Sequence, residues 1–178
     1  MRRIIYYVAS SIDGFISGRN EDISGFVGTG NGVDKYLEDL NKFDTVIMGK
    51  NTYEFGYKFG LKAGQAPYKH MKNYVISESL SFSSCDPNVY VIKRSIAEIE
   101  KIQRDPGTDI YLCGGGKLAS WLLEHKKIMS IKLKLNPLIQ GQGTPLFQNS
   151  NGSFQLKLVE HQEYEHGLLM ITYDVNYQ

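Results

Sequence analysis

Apolar residues run in short unbroken clusters through the first two-thirds of the chain and then switch to strict alternation. A strand covered on both faces reads as a continuous apolar run, whereas a strand with one wet face alternates. Residues 3–9, 45–48, 73–76, 89–92 and 110–113 are of the first kind. Between them the period lengthens. Val33, Tyr36, Leu37 and Leu40 stand at i, i+3, i+4 and i+7, which predicts a helix over 33–43. A second helix is expected to start after Gly49. Ile96, Ile99 and Ile102 predict a third, opened by a capping box at Ser95-Ile96-Ala97-Glu98. Leu118, Trp121 and Leu122 predict a fourth, whose basic end His125-Lys126-Lys127 suits a helix C-terminus. Ile131, Leu133 and Leu135 then alternate with Lys132 and Lys134, as in a strand with one wet face. Phe154, Leu156 and Leu158 alternate next, and Leu169, Ile171, Tyr173 and Val175 follow, with Gly167 at the turn between them. The predicted class is α/β: a mixed sheet, mostly parallel, with helices on both faces and a closing antiparallel hairpin. No repeat, low-complexity stretch or charged linker interrupts it, so residues 1–178 read as a single domain.

One junction carries candidate chemistry. The apolar run 110–113 turns over Gly114-Gly115-Gly116 straight into the fourth helix. Such a turn leaves bare N–H groups at the positive end of a helix, a setting that suits a phosphate or pyrophosphate. The alternative is a tight, close-packed turn. Gly114-x-Gly116-x-x-Ala119 spells the dinucleotide fingerprint, but the acidic residue expected about twenty positions on is missing from 132–140. Lys117 is followed by Leu118, so a P-loop hydroxyl is missing too. A phosphate site is expected without either of its two commonest folds.

Composition narrows the class. With 178 residues, 42% of them hydrophobic, the chain is long enough for one packed core. Its net charge is +1 and no basic stripe stands out, so nucleic acid is not an expected partner. Two cysteines without a CxxC neighbour argue against a disulfide framework or a structural metal site. The apolar run after Met1-Arg2-Arg3 breaks at Ser10-Ser11 and is too short for a signal peptide, and no stretch has the length of a membrane span. A cytoplasmic protein is expected.

The strand ends Ala9-Ser10, Gly49-Lys50, Ser77 and Gly114-Gly115-Gly116 fall on one side of a parallel sheet, where ligands bind. Small and hydroxyl residues at four such ends build a groove long enough for a dinucleotide. Strand termini of this composition are also common without a ligand.

At this point four segments resemble a known family in its own order. They are Tyr7-Val8-Ala9-Ser10-Ser11-Ile12-Asp13-Gly14-Phe15-Ile16, Val46-Ile47-Met48-Gly49-Lys50-Asn51-Thr52-Tyr53-Glu54, Leu112-Cys113-Gly114-Gly115-Gly116-Lys117-Leu118 and the loop from Asn136-Pro137 through Gly141-Gln142-Gly143-Thr144-Pro145-Leu146-Phe147. The chain resembles the dihydrofolate-reductase-like fold, in the branch of the riboflavin-biosynthesis reductase domain. The resemblance implies an NADPH-dependent reductase acting on a heterocyclic small molecule. Gly114, Gly115 and Gly116, with Lys117 and Leu118 at the helix start, would hold the pyrophosphate. Gly49 and Thr52 would face a phosphate. Lys50 would replace the family's arginine near the 2′-phosphate, a point charge in place of a fork, which leaves NADH open as a cofactor. Ser77 would sit at the adenosine end, Ala9 at the nicotinamide, and Asp13-Gly14 over the ring.

Hydride transfer takes its chemistry from the cofactor, but reducing a C=N bond also needs a proton donor. Asp34, near the start of the first helix, and Asp13 are the candidate catalytic carboxylates; Asp34 can equally be a helix-start charge. Gly141 and Gly143 would border the substrate. The H-x-E plus P-C-x-x-C pair of the fused zinc deaminase is absent, so no deaminase step is expected. A true dihydrofolate reductase, or a nucleotide-binding module without turnover, are the other readings. The alternating strands at 131–135 and 154–175 are expected to favour pairing across a homodimer.

Overall fold

A computed structural model describes residues 1–177. In chain order its main elements are β1 (Ile4–Ser10), β2 (Phe15–Ser17), α1 (Asn31–Leu40), β3 (Thr45–Gly49), α2 (Lys50–Phe55), β4 (Lys72–Ile76) and β5 (Val89–Ile92). They continue with α3 (Ile96–Arg104), β6 (Ile110–Gly114), α4 (Gly116–Glu124), β7 (Ile128–Leu135), β8 (Thr144–Pro145), β9 (Gln155–Glu163) and β10 (Leu169–Asn176). One sheet has the order β5-β4-β3-β6-β1-β7-β10-β9. The strands from β5 to β7 are parallel to one another, and β10 runs antiparallel to both β7 and β9. This is the expected α/β architecture, mostly parallel and closed by an antiparallel hairpin. β2 and β8, which the sequence pattern did not predict, form a separate two-stranded ribbon.

Helices cover both faces because successive strands need crossover connections. On one face Ile99 and Ile102 of α3 and Leu118, Ala119, Leu122 and Leu123 of α4 pack on Ile4, Tyr6, Ile47, Ile110 and Leu112. On the other, Leu40 of α1 and Tyr53 of α2 pack on Tyr7, Val46, Met48, Val75 and Tyr111. The clusters of the parallel strands are apolar at consecutive positions because each strand contributes to both cores.

Three expectations are corrected. The helix predicted over 33–43 starts at Asn31, after Gly30 with φ +98°. A side chain on Gly32 would strike Leu168 and Tyr164, so the first turn depends on glycine packing that an apolar period does not register. The capping box is not made: Ser95 occupies the N-cap of α3, but among the described residues no side chain caps the helix there. Finally, the wet face of β7 is covered. Lys134 is buried, and Lys132 reaches beneath α1 to Asp39. The exposed strand is β9, where every residue is open and Leu156 and Leu158 lie at the surface.

Candidate functional site

Parallel pairing places the C-terminal ends of β1, β3, β4 and β6 on one edge of the sheet, with Gly49 opposite Ile76 and Met48 opposite Gly114. At the end of β6 the chain turns through Gly114, with φ +134°, and the Gly114–Gly115 peptide is cis. Gly115 is the N-cap of α4, and among the described residues no side chain caps that helix. A Cβ on Gly115 would stand 3.3 Å from Thr52 Oγ1, and one on Gly114 3.8 Å from the same oxygen. A Cβ on Gly49 would lie 4.0 Å from the Gly114 oxygen and the Gly115 nitrogen. Gly49, Thr52, Gly114 and Gly115 therefore surround one small space, with a hydroxyl on one wall and bare backbone on the other. The space suits a phosphate oxygen, which needs donors and close approach. A dinucleotide's pyrophosphate fits the residues present.

The neighbouring residues divide by role. Gly116 faces away from this space: a side chain there would collide with the Pro145 carbonyl and touch Gln148. Its glycine serves close packing. Leu118 is buried in the core, and its Cβ lies 4.0 Å from where a Cβ on Gly49 would stand. Lys117 is exposed at the helix start. Lys50 lies 3.8 Å from Glu54 one turn on, which partly offsets its charge. The Ser77 hydroxyl accepts from the N–H groups of Ser79 and Leu80, closing its own turn. Ser77 also lines a shallow cavity of about 360 Å³ with Glu78, Phe82, Ile92 and Lys93 beyond the ends of β4 and β5.

At the end of β1 the loop carrying Asp13 is tied shut. Ser11 Oγ donates to Asp13 Oδ1 at 2.6 Å, and the N–H groups of Gln140 and Gly141 donate to the two carboxylate oxygens at 2.9 and 2.7 Å. The hydrogen bond from Ser11 and those two backbone donors pull the Asp13 carboxyl down to about 2. It is ionised at neutral pH and already takes three hydrogen bonds. Asp13, a candidate catalytic carboxylate, thus clasps the 11–15 loop to the 138–146 loop. Gly14, with φ +83°, is open beyond its Cα, and its carbonyl accepts from Leu146 N at 2.8 Å. Gly141, with φ +74°, is also open. Gly143 is not: a side chain there would overlap the Ser17 carbonyl and Gly18, beside the β2–β8 ribbon. Asp34 is exposed on α1, and its carboxylate has no hydrogen bond or ion pair among the described residues.

A polar cluster between α1 and β7 was missed by sequence reasoning. Asp39 Oδ1 accepts from Lys35 and, at 2.9 Å, from Lys42; Oδ2 accepts from Lys132 at 2.6 Å and from the Tyr7 hydroxyl at 3.3 Å. Burial would raise the Asp39 carboxyl, but the hydrogen bonds from Lys132, Lys35 and Lys42 outweigh it and hold the group well below the usual carboxylate range. Beside it, Lys134 Nζ donates to the Val27 carbonyl at 2.7 Å. Deeper in, the Tyr36 and Tyr111 hydroxyls meet at 2.7 Å, and Tyr68 lies 3.5 Å from the Cys113 sulfur. The available signal was Lys132 and Lys134 inside an otherwise apolar strand, read there as solvent contact.

The architecture is that of the dihydrofolate-reductase-like fold, with the glycine cradle at the C-terminal edge of its parallel strands. Residues 2–170 match the RibD C-terminal domain, and the chain belongs to that family. Two uncharacterised proteins of Bacillus subtilis (strain 168) are similar along their length. YyaP is 25% identical over 187 residues, covering 98% of this chain and 96% of that protein, and YwjB is 25% identical over 160 residues, covering 88% and 89%. Among solved structures, a pyrimidine reductase-like protein of Corynebacterium diphtheriae has a TM-score of 0.70 at 17% identity, covering 99% of this chain and 93% of that one. A Thermotoga maritima diaminohydroxyphosphoribosylaminopyrimidine deaminase/5-amino-6-(5-phosphoribosylamino)uracil reductase has a TM-score of 0.69 at 18% identity. This chain aligns along 98% of its length with 57% of the Thermotoga chain. At these identities the structures establish the fold.

Proposed function

We propose that the protein is an NADPH-dependent reductase that delivers hydride to a heterocyclic substrate of the pyrimidine or pteridine type. The observation that carries this reading is the bare Gly114–Gly115 turn facing Gly49 and Thr52. Membership of the RibD C-terminal domain family supports it. In this reading Gly114, Gly115 and the first turn of α4 hold the pyrophosphate, and Thr52 donates its hydroxyl to a phosphate oxygen. Lys50 and Lys93 supply positive charge toward the adenosine end, and the end of β1 at Ala9 receives the nicotinamide. When bound, NADPH supplies the hydride. The chain's share is to bind and orient it and to exclude water with the loops that Asp13 clasps. With Asp13 ionised, a proton for the acceptor comes from Asp34, from another residue or from water.

Intrinsic fluorescence titration with NADPH and NADH tests the cofactor assignment. Micromolar binding of NADPH is expected, and binding of neither nucleotide removes the reading. Loss of NADPH absorbance is then followed with 5-amino-6-(5-phosphoribosylamino)uracil and with dihydrofolate. Turnover of the first alone assigns the riboflavin-type reaction, and turnover of the second makes the protein a folate reductase. Binding with no turnover of either leaves a nucleotide-binding module or a different heterocycle.

A further inference from the structure

Lys134 is a buried cation with no counter-ion among the described residues. It is 7% exposed and forms no ion pair among the described residues. The groups around it are all accounted for. On β7 the residue facing the same way is Lys132, which is spent on Asp39. On α1, Asp39 is already shared by Lys35, Lys42 and Lys132, and the Tyr36 ring lies 5.9 Å from the Lys134 ammonium. Across β1 stand Ala9 and, one pleat back, Tyr7; across β10 stands Met170. Burial pushes the hydroxyls of Tyr7 and Tyr36 far up, so both are neutral. Among the described residues, therefore, no carboxylate pairs with Lys134. Leaving an ammonium in such a place is costly. Its hydrogen bond to the Val27 carbonyl does not by itself require a lysine, because a neutral residue, Asn136, already anchors Val27 through its N–H at 2.9 Å.

Its position gives the charge a use. Lys134 is paired with Ala9 in the β1–β7 register, at the C-terminal edge of the sheet. β1 lies between β7 and β6, so Lys134 stands about two strand spacings, roughly 10 Å, from the glycine cradle. The cavity beside Ser77 and Lys93 lies on the opposite side of that cradle, beyond β3. A dinucleotide with its pyrophosphate on the cradle and its adenosine toward β4 and β5 brings its nicotinamide toward Ala9 and Lys134.

We infer that Lys134 makes the reacting end of the groove select by charge: it disfavours the oxidised nicotinamide, whose ring is cationic, relative to the reduced one, whose ring is neutral, and favours a hydride acceptor that carries or gains negative charge. This inference rests on the reductase reading. Two unit charges several ångströms apart in a partly buried site alter affinity by about five- to thirtyfold, and that change falls on one redox form of the cofactor only.

The test compares dissociation constants for NADP⁺ and NADPH by fluorescence titration in the wild-type protein and in Lys134→Met, Lys134→Gln and Lys134→Arg. The glutamine variant is neutral yet keeps a donor for Val27. The ratio of the NADP⁺ constant to the NADPH constant is expected to fall about five- to thirtyfold in the two neutral variants and to persist in the arginine variant. NADPH affinity itself should change little. A ratio unchanged within about twofold in both neutral variants overturns the inference. A wild-type protein that binds neither nucleotide overturns the reductase reading first. Should the neutral variants lose their fold by circular dichroism, a pH series on the wild type decides. Burial lowers the Lys134 pKa from its ordinary value, so the ratio should decline toward alkaline pH as that ammonium loses its proton. Charges near the phosphates affect both redox forms alike and cancel in the ratio, and a ratio constant across the alkaline range overturns the inference.

Discussion

At the scale of single residues, the cradle makes the sharpest demands. Gly115 has Thr52 Oγ1 only 3.3 Å from where a Cβ would stand, so any side chain fills the space proposed for a phosphate. Gly115→Val should lower NADPH affinity by more than about tenfold while the circular-dichroism spectrum stays native; affinity retained in a folded variant would place the pyrophosphate elsewhere. Lys50 is a weaker determinant, since Glu54 stands 3.8 Å from it. If Lys50 contacts the 2′-phosphate, Lys50→Ala weakens NADPH by severalfold and leaves NADH unchanged, and equal effects on the two nucleotides would exclude that contact. Gly114 and Gly115 could be singled out from sequence because consecutive glycines before a helix are a local signal. The role of Gly116 could not, because its partner, the Pro145 carbonyl, is remote in the chain.

At the scale of elements, Asp13 has partners that its place in the chain does not reveal. Its position beside the end of β1 followed from the strand pattern. Its partners, the amides of Gln140 and Gly141, come from a loop more than a hundred residues away. The clasp has a definite pH signature. The Asp13 carboxyl is depressed to about 2 in the folded protein. Its contribution is thus present above the ordinary aspartate range and is lost as pH falls toward 2. Hydrogen exchange at the Gln140 and Gly141 amides should accelerate, relative to the chain's other loop amides, in Asp13→Asn at neutral pH and in the wild type on acidification. Unchanged protection at those two amides in the variant would show that the carboxylate does not close the loop. β7 makes the same point from the opposite side. Its alternation predicts one wet face, yet α1 lies over its lysines and supplies Asp39 to one of them.

At the scale of the whole molecule, Asp39 joins α1 to β7 by accepting from Lys35, Lys42 and Lys132, so removing its charge leaves three ammonium groups close together. Asp39→Asn is expected to destabilise the fold by about 1–3 kcal/mol, read by urea denaturation. Because the Asp39 carboxyl is held below its ordinary range, the wild-type advantage over this variant should be full at neutral pH and shrink as acid protonates the carboxylate. An advantage constant down to strongly acidic pH would deny the ion cluster this role. The sequence by itself determined the α/β class, the parallel core and closing hairpin, and the glycine turn of the cradle, because apolar period and consecutive glycines are local properties. Only the tertiary structure decided that Thr52 faces that turn, that Asp13 clasps two loops, that Asp34 stands exposed and that Lys134 lies buried without a counter-ion among the described residues. Each of those depends on which distant backbone or side chain comes to rest against the residue, and no period along a single chain encodes that. The Gly114–Gly115 turn was visible in the sequence; the wall opposite it was a product of folding.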